Sequence, residues 1–135
     1  MRKHVNSTPV EYRSLAHFPV DDFIAIMDKL VESEGDEKRR SKFMKGRKSQ
    51  WYHLIMTDQL ACPASGKKVS ICSYDIMKHR KSEPTFHFNF YTENWELFTI
   101  DHKIPLRHGG PNNNSNVQPM IGTINWEKGS ELIYT

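Results

Sequence analysis

From Leu97 to Ser130 the chain runs LFTIDHKIPLRHGGPNNNSNVQPMIGTINWEKGS, and this stretch restricts the fold more than any other. Its apolar start belongs to a segment, Trp95 to Ile100, that reads as a strand running straight into the pair Asp101-His102. The loop that follows is written for sharp turns. Pro105 and Pro111 fix φ, Gly109 and Gly110 permit positive φ, and the run Asn112 to Asn114 tolerates left-handed conformations and bonds its own backbone. Asn116 opens a second short apolar run, and Asn125 and Lys128 sit three apart, on one face of the helix expected next. A strand, a wide loop, a strand and a helix bring these residues together, because adjacent strands pair and the helix packs back over the hairpin. On residue chemistry alone two readings stand. One is a structural hairpin with a polar loop; the other is a one-metal centre in which Asp101 and Asn125 give hard oxygen ligands and His102 activates water.

Taken together these residues resemble the HNH nuclease motif, which runs Asp-His-x-x-Pro, then Gly-Gly, then Asn-x-Gln, then Asn-x-x-Lys. The signature positions are His102, Asn116 and Asn125; Asn116 follows His102 by fourteen residues and precedes Asn125 by nine. Ile104, Pro105, Gly109, Gly110, Gln118, Pro119 and Lys128 stand where the pattern has them. The resemblance implies an α+β fold with a ββα-metal (HNH) nuclease core over 61–135 and a mainly helical N-terminal extension over 1–60. At 135 residues the whole is expected to be one domain.

The resemblance also implies a function, metal-dependent hydrolysis of phosphodiester bonds in DNA. Asp101 and Asn125 hold one cation, and oxygen-only ligation favours Mg²⁺ or Mn²⁺ over softer metals. His102 is the general base, since imidazole can take a proton from water near neutral pH. Asn116 pins the loop and orients the His102 ring, and Lys128 faces the phosphate and offsets developing charge. Arg107 and His108 lie in the same loop, as a phosphate contact or as an exposed pair. Trp126 is expected to pack the helix, with a wedge near the nucleic acid as the alternative. Two other classes stay open: a non-catalytic nucleic-acid or protein-binding module on the same fold, and an RNA-cleaving enzyme with the same centre.

One departure from the pattern concerns structural zinc, which many members of the family bind with two Cys-x-x-Cys pairs. Here the upstream pair is Cys62 and Ser65 and the downstream pair is Ile121 and Ile124. One thiolate cannot make a tetrahedral sulfur site, so no structural zinc is expected and the isoleucines are read as an apolar replacement. Cys62 and Cys72 are too few for a disulfide framework and are read as free, buried thiols.

Upstream, the formal charge of +3 says little, but its distribution says more. From Lys38 to Lys48 the chain reads KRRSKFMKGRK, seven basic residues in eleven with no acid. Lys38, Arg39, Arg40, Lys42, Lys45, Arg47 and Lys48 are thus candidates for a phosphate backbone, against the alternative of a solvated helix or linker. With the resemblance, double-stranded DNA is the expected partner.

Val20 to Glu34 shows the spacing of an amphipathic helix, with Val20, Phe23, Ile24, Met27, Leu30 and Val31 apolar and Gly35 as its stop. Ser49 to Leu60 reads as a second helix, and Pro9 to Pro19 as irregular. Lys68 to Tyr74 and Thr85 to Tyr91 read as strands, the latter with Phe86, Phe88 and Phe90 on one core-facing side. No segment has the length and apolarity of a membrane span or of a signal peptide, so a cytoplasmic location is expected; the resemblance implies a bacterial or phage-infected cell.

Overall fold

The computed structural model describes residues 9–47, 49–81 and 84–128. Lys48 lies outside the described residues, as does the end of the C-terminal stretch beyond Lys128. The chain is mixed α and β, with antiparallel pairing throughout. Strands β1 (Pro9–Pro19), β2 (Ile71–His79) and β3 (Thr85–Tyr91) form one sheet in that order. Strands β4 (Phe98–His102) and β5 (Val117–Ile121) form a separate two-stranded sheet. Helices α1 (Phe23–Ser33), α2 (Glu37–Gly46) and α3 (Gln50–Met56) follow β1, and α4 (Gly122–Lys128) follows β5 without a break. No helix among the described residues is long and apolar enough to cross a membrane.

Pro9 to Pro19, irregular by its sequence, is the strand β1. Its prolines stand at the two ends of an edge strand, where no ladder hydrogen bond is lost. Register shifts between Pro9 and Glu11 and between Ser14 and Ala16 break the period-two alternation that would have marked it, and leave Leu15 exposed. Because β1 pairs with β2, the N-terminal part contributes a strand to a shared sheet as well as its three α-helices.

The helices follow their sequence signals more closely. Val20 to Asp22 form a 3₁₀ turn and α1 continues from it, burying Phe23 and Met27 one turn apart. Asp36 caps α2 by accepting from Arg39 N, and Ser49 caps α3 by accepting from Tyr52 N. Helix α3 ends at Met56, four residues before the expected Leu60. There Thr57 turns its hydroxyl back to the His53 carbonyl and Asp58 takes a left-handed φ of 54°.

One face of the large sheet is the core. Cys72 pairs with Phe90, Tyr74 with Phe88 and Ile76 with Phe86, which lines up the aromatic stripe under α1 and α2. On the opposite face Asp75 is fully buried and accepts hydrogen bonds from Tyr12 Oη, Ser73 Oγ and Asn89 Nδ2. Burial, and then the Asp75 carboxylate, push the Tyr12 hydroxyl well above the usual tyrosine range.

The two sheets meet through rings. Trp51 of α3 stacks on Phe90 at 4.4 Å and meets Phe98 edge-on at 6.4 Å between centroids. Beside this seam Cys62 is buried in the turn before Gly66, and Ile121 and Ile124 pack on the same core. Burial would raise the Cys62 thiol, but the Ser65 side chain and the backbone N–H groups of Ile121, Ser65 and Ala64 together hold it below the ordinary cysteine value. Burial pushes the Cys72 thiol up. Both cysteines are free.

This packing generates a prediction. Ile121→Ala should lower the unfolding free energy by about 2–5 kcal/mol, while dialysis against EDTA should leave the urea midpoint of the wild-type chain where it was. A midpoint that falls on chelation and returns with Zn²⁺ would show that metal, not apolar packing, closes this corner.

Candidate functional site

The site lies where β4, the loop after it and α4 converge. Asp101 stands opposite Gln118 in the β4–β5 ladder and is nearly buried. Gln118 Nε2 donates to Asp101 Oδ2 at 2.9 Å. Lys128, in the last turn of α4, reaches both carboxylate oxygens, at 3.2 Å to Oδ1 and 3.1 Å to Oδ2. The side chains of the ion pair are 0% and 7% exposed for Lys128 and Asp101. This corrects the expectation for Lys128: its ammonium faces inward, onto a carboxylate, and not outward onto a phosphate. A carboxylate drawn from water needs a countercharge, and Lys128 is the cation the fold supplies.

Asn116 does pin the loop. Its Oδ1 accepts from Ile104 N at 2.9 Å, and its Nδ2 donates to the carbonyls of Ile104 and Pro111, both at 2.9 Å. Its own carbonyl accepts from Lys103 N. The two glycines serve this closure differently. Gly109 takes a φ of 88°, and Gly110 presses so closely on the loop that a Cβ there would lie 1.9 Å from the Ile104 oxygen. Asn116 was also expected to orient the His102 ring, and here the structure differs. The ring's polar partner is Asn112, whose Oδ1 lies 3.3 Å from His102 Nε2. In the tautomer with its proton on Nε2 the ring donates to this oxygen, and Nδ1 is then the nitrogen free to accept. Asn112 carried no role in the sequence reading; its only signal was membership of the asparagine run.

Asn125 is oriented by a relay the sequence did not reveal. The Thr99 hydroxyl donates to the Met120 carbonyl at 3.2 Å, so it can only accept from Asn125, whose Nδ2 lies 2.8 Å away. That leaves Asn125 Oδ1 as the end available to a ligand. Asn125, Asp101, His102 and Arg107 line one open groove of about 360 Å³, together with Ile100, Pro105 and Leu106. None of the groove lining comes from α2, so the structure does not bring Lys38, Arg39, Arg40, Lys42, Lys45 or Arg47 to it. Arg39 pairs with Glu34 at 3.4 Å and Arg47 with Asp28 at 3.3 Å. Trp126 does not pack its helix; it is 79% exposed.

The donor set suits a hard divalent cation held by few protein ligands. One carboxylate and one amide oxygen share the groove, and among the described residues no cluster of three histidine, cysteine or acidic side chains exists to make a closed site. Mg²⁺ commonly keeps several waters in such surroundings. Lys128 already neutralises Asp101, so cation binding here depends on further negative charge, which an anionic ligand would bring. Comparison with protein-family models, curated proteins and solved structures returns no match.

The ion pair is open to a double-mutant cycle. Lys128→Met and Asp101→Asn should each cost about 3–5 kcal/mol by stranding a buried partner, and the double variant should cost much less than their sum. Additive losses in urea unfolding would mean that the two groups are not coupled.

Proposed function

We propose that this chain is a metal-dependent HNH endonuclease, a ββα-metal nuclease hydrolysing phosphodiester bonds in DNA. The observation that carries the reading is the convergence of Asp101, His102 and Asn125 on one groove formed by a hairpin and the helix after it. Asp101 and Asn125 Oδ1 would hold the cation. When bound, that ion supplies charge stabilisation at the phosphoryl and leaving oxygens.

The chain's own residues do the rest. In that tautomer His102 Nδ1 takes the proton of the attacking water, with Asn112 accepting from Nε2 on the other side of the ring. Arg107, on the groove wall, offers a cation to the phosphate. Asn116 keeps the loop closed so that His102 and Arg107 face the same space. Lys128 acts through Asp101 as a positioning residue, holding the carboxylate in one orientation.

A second reading, a binding module without catalysis, is favoured by one observation. Lys128 and Gln118 already engage both oxygens of Asp101, as they would in a purely structural carboxylate. Incubation with supercoiled plasmid and with RNA, in Mg²⁺, Mn²⁺ or EDTA, separates the two. Metal-dependent nicking supports the nuclease; binding without any cleavage supports the module.

His102→Ala should keep the fold and nucleic-acid binding while cleavage falls by about 10² to 10⁴. Nicking at the wild-type rate by a clean preparation would remove His102 as the base. Asn125→His should shift the metal optimum from Mg²⁺ toward transition metals, because imidazole nitrogen suits them better than amide oxygen does. Identical metal titrations of cleavage for wild type and variant would show that Asn125 does not touch the ion.

A further inference from the structure

A second cavity, apart from the groove, lies between α2, α3 and the edge strand β3. It holds about 210 Å³, smaller than the roughly 300–1,000 Å³ of pockets for drug-sized ligands, so it suits a single ring system. Its walls are rings: Phe23, Phe43, Trp51, Tyr74, Phe86 and Phe88. Two polar features set it apart from an ordinary packing gap. The Tyr74 hydroxyl is buried without a formed hydrogen bond among the described residues, and its polar neighbour is the Arg39 guanidinium, so its hydrogen-bonding capacity is only partly met. Lys42 of α2 stands on the lining.

Lys42 belongs to a cationic stripe. Lys38, Lys42 and Lys45 recur at the spacing of one helix face, all exposed, and none makes an ion pair with a described residue. Arg39, one residue from this stripe, places its guanidinium 5.1 Å from the centroid of the Phe86 ring. An aromatic slot flanked by lysines matches a ligand with a flat π face on a polyanionic chain. An acyl chain would leave the Tyr74 hydroxyl only partly met, whereas a nucleobase edge carries donors and acceptors.

We propose that this cavity receives one unstacked nucleobase, with the Lys38, Lys42 and Lys45 stripe following the adjoining phosphates. The proposal rests on the reading that nucleic acid is the partner, and it gives the basic helix a role separate from the groove. The two places are connected through Trp51, which lines the cavity and touches Phe98, the first residue of the strand that ends at His102.

The test is binding in EDTA, where no cleavage enters. Full-length chain carrying Trp95→Phe and Trp126→Phe, so that Trp51 alone reports, is titrated with a ten-nucleotide oligothymidylate and with an abasic strand of the same length. The base-bearing strand should quench Trp51 and bind about 10-fold more tightly at equal salt, within the range of one base–aromatic stack. Tyr74→Phe should reduce that preference, and Lys42→Gln should weaken both strands alike and lower the salt slope. Equal affinity for the two strands, or an unchanged Trp51 signal, overturns the proposal, as does quenching by dodecanoate in place of the oligonucleotide. Plasmid cleavage with equal strand affinity would sink the base pocket alone. Base preference without cleavage in any metal would sink the nuclease reading alone.

Discussion

The Asp101 carboxylate is the one group around which the hairpin and its helix are arranged. An isolated buried negative charge is costly, and every element near it contributes to offsetting that cost. β4 carries the acid, β5 supplies the Gln118 amide directly across the ladder, and α4 supplies the Lys128 ammonium from its last turn. Satisfying one charge therefore sets the angle at which α4 lies over the hairpin. Asn125, one turn before Lys128 on the same helix, is delivered to the groove by that angle. The same compensation limits what Asp101 can do, because a neutralised carboxylate attracts a cation less strongly than a bare one.

A two-stranded hairpin with a short helix has too little apolar surface to stand alone in water. The large sheet and its helices supply the rest. Phe98 from β4 and Met120 and Ile121 from β5 join the core made by Phe23, Met27, Phe43 and Phe90, with Trp51 between Phe90 and Phe98. Among the described residues the β-bridge between the two sheets joins Tyr91 and Leu97, a slight hydrogen-bonded link. Ring packing thus carries the orientation of the hairpin relative to the sheet.

The basic segment and the groove divide the molecule's surface chemistry. Sequence proximity to nothing in particular left the run from Lys38 to Lys48 free to be footprint, helix face or linker. The fold makes its described part a helix over the aromatic face of the sheet, away from His102. Two of its arginines are engaged by acids of the α1 region, Glu34 and Asp28, and the lysine face is left to solvent. A single count of basic residues could not have made that distinction.

What the sequence determined by itself was local and periodic. The aromatic stripe of β3, the apolar face of α1, the turn-rich loop and the strand endings around Asp101 and Asn116 were legible, because each is written in near-neighbour spacing or in a residue whose backbone preferences admit few alternatives. What only the tertiary structure decided was everything set by partners distant in the chain. β1 was hidden because its bulge erases the alternation, and only pairing with β2 stabilises it. Asn112 and Thr99 acquire their roles from the atoms they meet, and nothing in their own spacing marks them; Gln118 stands at a pattern position, but its bond to Asp101 comes from the strand pairing. Lys128 shows the reason most directly. A lysine in a short helix is ordinarily solvated, and it turns inward here because a carboxylate twenty-seven residues earlier is buried beside it. Burial is a property of the whole fold, so the charge that must follow it cannot be read one segment at a time.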